Sequence, residues 1–421
     1  MPDKALRVAE ARVEVKPALS LAQETAFLEQ REVLPFLSAH WSVAANPWFR
    51  TFRKGVDVAK GSKAPAEVGG FVVEEVENPQ YRQNELFPAY ENFCSPRIWE
   101  LRERYGLEDV VADEEDEFKR QLLLRNWLTR HITINDHYPT PTRGDAFAIL
   151  DAALKGGGFH CGHFMVVQHA VMNAFGYVCR SLGAGPGEKD DGGHHGINEV
   201  WSNIYCKWYL SDAKYDIHFE KKARIPLSAL EIREEHQKNK GADVFKVRGP
   251  ERKRVPVSST EVEGRAATYN WPSWHTNTNS FTAWPNAGSS AIVIYEDDYV
   301  RTHTWYRDGK PCWAYQADFF IPVRHRGWIE WTPNVVSVRV EVRPGPSNTK
   351  EPGYWAHGTI RSCTPNLKEY QVKVGGSEWH PVEAQFAVPL YSDVNEFRVR
   401  SVNLFDVTGP DHLVRVRRHR K

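Results

Sequence analysis

The chain has 421 residues, and its 54 lysines and arginines are balanced by 54 aspartates and glutamates, so the formal net charge is zero. This balance argues against binding to nucleic acid or anionic lipid, because proteins of those classes concentrate positive charge. An apolar fraction of 41% with 26% charged residues is typical of a folded protein. The length predicts two to three domains. No stretch approaches the ~18 uninterrupted apolar residues of a membrane helix, so no membrane span is expected.

The six cysteines are too sparse and irregular for a disulfide framework, and no pair has the CxxC spacing of a zinc ribbon. Residues 1–13 are charged and lack the apolar segment of a secretory signal. The sequence leaves two locations open. One is the cytoplasm; the other is the periplasm or the exterior, for a chain whose signal peptide has been removed.

Residues 1–110 show mixed patterns and are predicted to form a partly helical N-terminal region. Apolar residues at helical spacing predict an amphipathic helix over residues 21–34, which Pro35 would end. Residues 54–70 are rich in glycine, lysine, alanine and proline, so an exposed loop is expected there.

Two helices are predicted next along the chain. Four acidic residues at 113–116 precede an apolar periodic stretch at 118–132, and acids favour a helix N-terminus. A shorter helix is predicted at 145–154, beginning near Asp145 and ending at the glycines 156–158.

A buried helix and a hairpin follow. Residues 164–175 are apolar nearly all round, which predicts a helix at the centre of a domain. Residues 199–210 predict two strands with the hairpin tip at Ser202–Asn203. Together with the preceding helices, these elements predict an α+β core domain over residues 111–250.

The C-terminal part of the chain is rich in tryptophan and strand-forming residues. Seven of the fifteen tryptophans fall within residues 271–331, and short β-type runs occur at 291–295 and 314–322. Residues 251–334 are therefore predicted to be a tryptophan-rich β extension. Residues 335–421 contain four runs that alternate apolar and polar side chains, which predicts a C-terminal β-sandwich.

Cys161 lies in the segment that is richest in reactive side chains. Glycines at 156–158 and 162 flank it, and the predicted buried helix begins directly after it. Unpaired backbone N–H groups and the positive end of the dipole at a helix N-terminus lower the pKa of a thiol. The same N–H groups can hold a developing oxyanion. This is the position of a nucleophile, although a cysteine taken singly is more often a small packing residue.

Two histidines and an aspartate follow at spacings that suit acid–base catalysis. His194 and His195 precede a predicted strand, and an imidazole can take the proton of a thiol and return it to a leaving group. Asp212 ends the next strand, where its carboxylate would orient the imidazole and stabilise its cation. Each residue alone is more often structural, but together they predict a triad of Cys161, His195 and Asp212.

These residues resemble the transglutaminase-like superfamily, whose Cys-His-Asp site is similar to that of papain-like cysteine enzymes. Residues 125–132 (RNWLTRHI), 145–154 (DAFAILDAAL) and 174–185 (AFGYVCRSLGAG) also have family-like form, and the resemblance covers about residues 110–225. The resemblance implies an α+β, cysteine-protease-like core, with Arg180 on the strand that follows the nucleophile helix. The C-terminal segment resembles immunoglobulin-like or fibronectin-like modules, which more often brace or space an enzyme than catalyse.

The resemblance also implies roles and a reaction. Cys161 would be the nucleophile, His195 the general acid and base, and Asp212 the orienting carboxylate. His194 is the rival to His195, and the family's spacing before the Glu-Val pair favours His195. The implied reaction is attack on an amide carbonyl, formation of a thioester, and its resolution by water or an amine. Gly162 stands where animal transglutaminases often have tryptophan, which argues against protein crosslinking.

Polar and aromatic residues of the extension are candidates for substrate contact. The sequence WPSWHTNTN lacks apolar alternation and favours a substrate-facing loop, although tryptophans in short strands more often pack between sheets. The expected contact residues are Trp271, Trp274, His275, Asn277 and, beside the catalytic pair, His194.

Histidines around the nucleophile also offer ligands for a metal ion. His160, Cys161 and His163 lie too close together at a helix start to converge on one ion, and no closed tetrahedral set is evident. We therefore expect no metal and no cofactor.

The sequence predicts a cysteine-dependent hydrolase or acyltransferase that acts on an amide bond of a peptide or peptidoglycan-like substrate. Two alternatives stay open. The same pocket could act on a polysaccharide, as a lyase or hydrolase in which His195 and a tyrosine supply acid–base chemistry; activity would then survive alkylation of thiols. A non-catalytic member that only binds a ligand would show no thiolate at neutral pH.

Overall fold

The described parts of the protein have an α+β fold, with six α-helices and mostly antiparallel strands in several sheets. A computed structural model of the chain describes residues 68–84, 95–142, 145–185, 195–255, 272–275, 292–295, 306–307, 310–311, 320–345 and 353–419. The helix predicted at 21–34 and most of the loop predicted at 54–70 lie outside these residues.

The six α-helices of the described residues all precede residue 240, and a short 3-10 helix follows at Arg326–Trp328. The α-helices are α1 (Pro96–Arg104), α2 (Leu107–Val111), α3 (Glu117–His131), α4 (Ala146–Leu154), α5 (Cys161–Ala174) and α6 (Ala229–Asn239). Each of these described helices is too short or too polar to cross a bilayer.

The strands run through the whole described chain. The first nine are β1 (Phe71–Glu74), β2 (Thr133–Ile134), β3 (Gly158–Phe159), β4 (Cys179–Ala184), β5 (His195–Ser202), β6 (Lys207–Ser211), β7 (Ile217–Glu220), β8 (Phe245–Arg248) and β9 (Lys253–Arg254). The extension adds β10 (Ser273–His275), β11 (Ile292–Tyr295), β12 (Tyr306–Arg307), β13 (Lys310–Pro311) and β14 (Phe320–Val323). The C-terminal part holds β15 (Val336–Pro344), β16 (Tyr354–Ser362), β17 (Leu367–Val374), β18 (His380–Val382), β19 (Gln385–Pro389), β20 (Val394–Asn403) and β21 (His412–Arg418).

Side-chain caps explain where two of the predicted helices begin. Asp116 accepts a hydrogen bond from the backbone N–H three residues along, at 2.8 Å, and α3 begins directly after it. Asp145 does the same at 2.8 Å for α4. Each carboxylate satisfies a donor that helix geometry leaves unpaired. The helices predicted at 118–132 and 145–154 are confirmed, with bounds shifted by one residue.

The helix that was predicted to be buried lies at the centre of the fold. α5 begins at Cys161, three residues before the predicted start, and twelve of its fourteen residues are buried. It shares one hydrophobic core with α1 to α4 and with residues of β4, β5 and β6. A helix that is apolar all round requires such packing on every side.

α5 packs against a six-stranded sheet, the central sheet, in the order β14-β11-β10-β4-β5-β6. Three of these strands come from the predicted tryptophan-rich extension, so the described part of that extension contributes strands to the same sheet as the core. Buried polar contacts join the strands: Arg180 Nη2 lies 2.6 Å from Glu199 Oε2, and Trp274 Nε1 donates to the same oxygen at 2.7 Å. A buried carboxylate needs such partners because an unpaired charge is costly in the core.

The hairpin of β5 and β6 has a wider turn than the predicted tip at Ser202–Asn203. Ser202 still pairs with Lys207 in the ladder, so the turn comprises residues 203–206. Cys206 in this turn has a positive φ of 50°. Glycine or asparagine normally marks such a conformation, and a cysteine therefore gives no sequence signal for it.

The C-terminal strands form two sheets that face each other over one core. One sheet has the order β15-β16-β19, and the other has the order β1-β21-β20-β17-β18. β1 comes from the predicted N-terminal region and pairs antiparallel with β21. Asn403 Nδ2 donates to the backbone O of Gly176 at 3.0 Å, which ties the sandwich to the end of α5.

Candidate functional site

Cys161 is the first residue of α5, and its side chain is half-buried. His160 precedes it as the N-cap, with Nδ1 accepting the backbone N–H of Gly162 at 3.2 Å. The backbone O of His160 accepts the N–H of His163 at 3.0 Å. Two donors of the first helical turn are therefore satisfied locally, and the backbone around the sulfur is ordered.

A close approach between two glycines brings β5 to the start of this helix. A Cβ added at Gly196 would lie 3.2 Å from the Cα and 3.4 Å from the N of Gly162. These distances are tighter than most Cβ contacts, so the lack of a side chain at position 196 lets the strand come this near without a shift of the backbone. The preceding residue of the strand, His195, consequently hydrogen-bonds Cys161.

His195 also contacts a carboxylate through its ring nitrogen Nε2. His195 Nε2 lies 2.7 Å from Asp212 Oδ2, and the two residues are only 7% and 1% exposed. Asp212 Oδ1 accepts the backbone N–H of Lys214 at 3.0 Å. Because Nε2 is engaged by Asp212, Nδ1 is the nitrogen of His195 that remains for Cys161.

Cys161 and His195 shift each other's pKa values in opposite directions. Burial raises the pKa of Cys161, but hydrogen bonds with His160, His195 and the N–H of Gly196 outweigh it and lower the pKa to about 5. Burial lowers the pKa of His195, but the charge and hydrogen bond of Asp212, helped by Cys161, raise it to about 10. Between these values the pair exists as thiolate and imidazolium.

The pKa values of the other described cysteines are shifted in the opposite direction, upward. Burial raises the pKa of Cys179 well above its usual range, and it raises the pKa of Cys206 and of Cys363 to about 11. Since the thiolate is the nucleophile, Cys161 is the activated sulfur among the cysteines that the structure describes.

Two further rings lie near His160 and His195. The ring of His163 lies 4.1 Å from that of His160, and burial lowers the pKa of His163 to about 4, so this imidazole is neutral at pH 7. The ring of Tyr215 lies 5.7 Å from that of His195. In the described residues, no group of three or more His, Cys, Asp or Glu side chains is arranged to hold a metal ion.

The structure brings together Cys161, His195 and Asp212 but not the residues expected to contact substrate. Trp274 is fully buried in the central sheet, so its ring packs in the core and presents no face to a ligand. His275, next on β10, is half-buried, and burial lowers its pKa to about 4. The remaining three candidates lie outside the described residues; they are His194, Trp271 and Asn277.

Two neighbours of the triad were missed by the sequence. In the sequence pattern His160 stands out only as a possible metal ligand, because histidine is not among the usual N-cap residues. The pattern therefore gave no reason to expect it as the cap or as a partner of the sulfur. Tyr215 lies three residues after Asp212, in a turn whose shape follows from long-range contacts, and nothing in the local pattern marks it.

The arrangement can perform nucleophilic catalysis, because a thiolate lies beside an imidazolium whose other nitrogen is held by a carboxylate. No family model matches the chain, and no curated protein matches it.

Proposed function

We propose that the protein is a cysteine-dependent hydrolase or acyltransferase with a transglutaminase-like core, acting on an amide bond of a peptide or peptidoglycan-like substrate. The observation that carries the proposal is His195, which is held between Asp212 at 2.7 Å and Cys161 at the start of the buried helix. The order of elements supports the resemblance, since the cysteine helix is followed by a strand with Arg180, a strand with His195 and a strand leading to Asp212.

The first half-reaction makes a thioester. The thiolate of Cys161 attacks the amide carbonyl carbon, and the carbonyl electron pair moves to oxygen. When this tetrahedral intermediate collapses, the C–N bond breaks, and the imidazolium of His195 gives its proton to the departing amine. The acyl group remains on sulfur and His195 is neutral.

The second half-reaction releases the acyl group. Neutral His195 takes a proton from water, or from an acceptor amine, as that nucleophile attacks the thioester carbon. The sulfur leaves as a thiolate, and the imidazolium is restored. Asp212 stabilises the imidazolium in both halves and keeps Nδ1 directed at the sulfur.

The developing oxyanion needs donors close to the sulfur. The N–H groups of Gly162 and His163 are already taken up by His160. We assign the oxyanion to the N–H of Cys161 itself, the first donor of the helix.

Turnover of a panel of peptides and peptidoglycan fragments tests the proposal. Cys161→Ala and His195→Ala are each expected to lower turnover by about 10³-fold or more, because the groups of a triad act as a unit. Mass spectrometry of a quenched reaction should show the acyl group on the peptide that contains Cys161. Cys206→Ala is the matched control, since burial holds that thiol in its neutral form. Turnover by Cys161→Ala at the rate of the unmodified protein would refute the nucleophile.

A second candidate is supported by Tyr215, whose ring lies 5.7 Å from that of His195. In this reading the protein acts on a polysaccharide, with His195 and Tyr215 as the acid–base pair. Tyr215→Phe would then abolish turnover of polysaccharides, and alkylation of Cys161 by iodoacetamide would leave it intact. Under the first proposal the same alkylation abolishes turnover and Tyr215→Phe retains most of it.

We also infer that the C-terminal sandwich is an immunoglobulin-like module that braces the core. Its seven strands from β15 to β21 are divided between two sheets. The first, second and fifth strands (β15, β16 and β19) form one sheet, and the third, fourth, sixth and seventh (β17, β18, β20 and β21) belong to the other. Constant-type immunoglobulin domains divide in the same way except for the fourth strand. The added strand β1 and the bond from Asn403 to Gly176 suit a bracing role.

A further inference from the structure

Asp212 lies at the start of a tight turn, and the shape of this turn determines where its carboxylate points. The backbone N–H of Asp212 donates to the O of Ile217 at 3.0 Å, and the N–H of Ile217 donates back at 3.1 Å. Between them Asp216 has a positive φ of 53°. L residues keep this conformation only where surrounding contacts hold it.

Three side chains of α3 hold the turn. Arg125 Nε donates to Asp216 Oδ1 at 2.9 Å, and Asn126 Nδ2 donates to Oδ2 of the same carboxylate at 2.5 Å. One turn further along the helix, Thr129 Oγ1 donates to the backbone O of Ala213 at 2.6 Å. We call these three residues of α3 the turn clamp.

Arg125 contributes more than the ion pair. It is fully buried, and Nη1 donates to the backbone O of Ile217 at 3.1 Å while Nη2 donates to that of Asp216 at 3.3 Å. Nη1 also lies 3.3 Å from His218 Nδ1. A planar guanidinium can meet all these partners at once, which an ammonium cannot.

We propose that the turn clamp of Arg125, Asn126 and Thr129 positions Asp212 to bind His195. These are positioning residues, because they act on the turn and not on the substrate. The inference rests on the proposed function, since it concerns the same triad.

The effect of loosening the clamp follows from the contacts of His195. Among the described residues, the titratable groups that contact this ring include Asp212 and Tyr215 from the turn and Cys161 from α5. If the turn shifts, the carboxylate of Asp212 moves away, and the imidazolium loses its main stabilising charge. The thiolate of Cys161 then loses its partner, so the thiol deprotonates at a higher pH.

The test measures alkylation of Cys161 by iodoacetamide in the full chain as a function of pH, with mass spectrometry to locate the adduct. Thr129→Val keeps the volume of the side chain and removes the hydroxyl that donates to Ala213. Arg125→Lys keeps the positive charge and removes the planar guanidinium that donates to several acceptors at once. Both variants are expected to raise the pH midpoint of labelling by about one unit, which is a tenfold loss of labelling at low pH. Thr359→Val, on an exposed position of the sandwich strand β16, is the matched control and should leave the midpoint unchanged.

Circular dichroism and thermal unfolding establish that each variant is folded at the temperature of the assay. If Arg125→Lys does not fold, Thr129→Val decides the question. An unchanged midpoint in folded Thr129→Val overturns the positioning role, even if its melting temperature falls. Absence of low-pH labelling in the unmodified protein would instead overturn the proposed function, so the two failures are distinguishable.

Discussion

Two imidazoles, those of His160 and His195, hydrogen-bond the sulfur of Cys161, and they have different roles. In the proposed mechanism His195 carries the proton and Asp212 orients it, whereas His160 caps α5 and also hydrogen-bonds the sulfur. The cap and the contact with sulfur are separable, because asparagine is among the best N-cap residues and lacks the imidazole.

His160→Asn is therefore expected to raise the pKa of Cys161 while keeping the helix start intact. The free energy of unfolding should change by no more than about 0.5 kcal/mol, the usual range for changes that keep a cap. Ultraviolet absorbance of the thiolate as a function of pH measures the first effect, and denaturant unfolding measures the second. His380→Asn, on an exposed position of β18, is the control. If the free energy of unfolding falls strongly and the pH midpoint of thiolate formation does not change, His160 acts only as a helix cap.

The pH dependence of turnover follows from the signs of the two pKa shifts. Turnover should rise as Cys161 ionises near pH 5 and fall as His195 loses its proton near pH 10, because the departing amine then lacks a proton donor. Alkylation needs no proton donor, so its rate should rise once and not fall at high pH. Asp212→Asn removes the negative charge that stabilises the imidazolium. The pKa of His195 should therefore fall and that of Cys161 should rise, so the pH range of turnover becomes narrower at both ends. A profile that Asp212→Asn leaves unchanged would contradict the role of this carboxylate.

At the scale of elements, the site exists where the backbone of β5 approaches the first turn of α5. Gly196→Ala places a Cβ 3.2 Å from the backbone of Gly162, which can yield only if the strand or the helix moves. The backbone must give by a few tenths of an ångström, so we expect this variant to weaken the contact between His195 and Cys161. Turnover should fall by about tenfold, less than the 10²-fold loss that misplacement by about 1 Å can cause. Gly376→Ala is the matched control, because no heavy atom lies within 4 Å of a Cβ at that position. Equal turnover in the two variants would show that the close approach is not needed.

At the scale of the whole molecule, strands from the extension complete the central sheet. Trp274→Phe keeps an aromatic ring and removes the indole N–H that donates to the buried Glu199 carboxylate. A hydrogen bond to a charged buried group contributes about 1.5–3 kcal/mol, so the free energy of unfolding should fall by that order. Trp99→Phe is the control, since this ring is 44% exposed and such substitutions usually change stability by less than about 0.5 kcal/mol. Equal unfolding midpoints for both variants would contradict the account of this sheet.

The sequence predicted elements whose signals are local and missed those set by distant contacts. Asp116 and Asp145 are strong N-caps, and the helices behind them lie where predicted. The strand at Ser273–His275 has three residues, and its place beside β4 follows from partners about 90 residues away in the chain. The triad was predicted from spacing and resemblance, whereas the turn that carries Asp212 depends on α3 contacts such as that of Arg125, which no local pattern reveals.

If Cys161 is a thiolate paired with His195, it should react with an alkylating agent faster than the other described cysteines do. Limited iodoacetamide at pH 6, followed by mass spectrometry, should modify Cys161 at least tenfold faster than Cys206 or Cys363, since burial raises the pKa of both those thiols to about 11. The same reaction with His195→Ala should lose this selectivity. Labelling of Cys161 no faster than that of the other two cysteines would show that Cys161 is not a thiolate activated by His195.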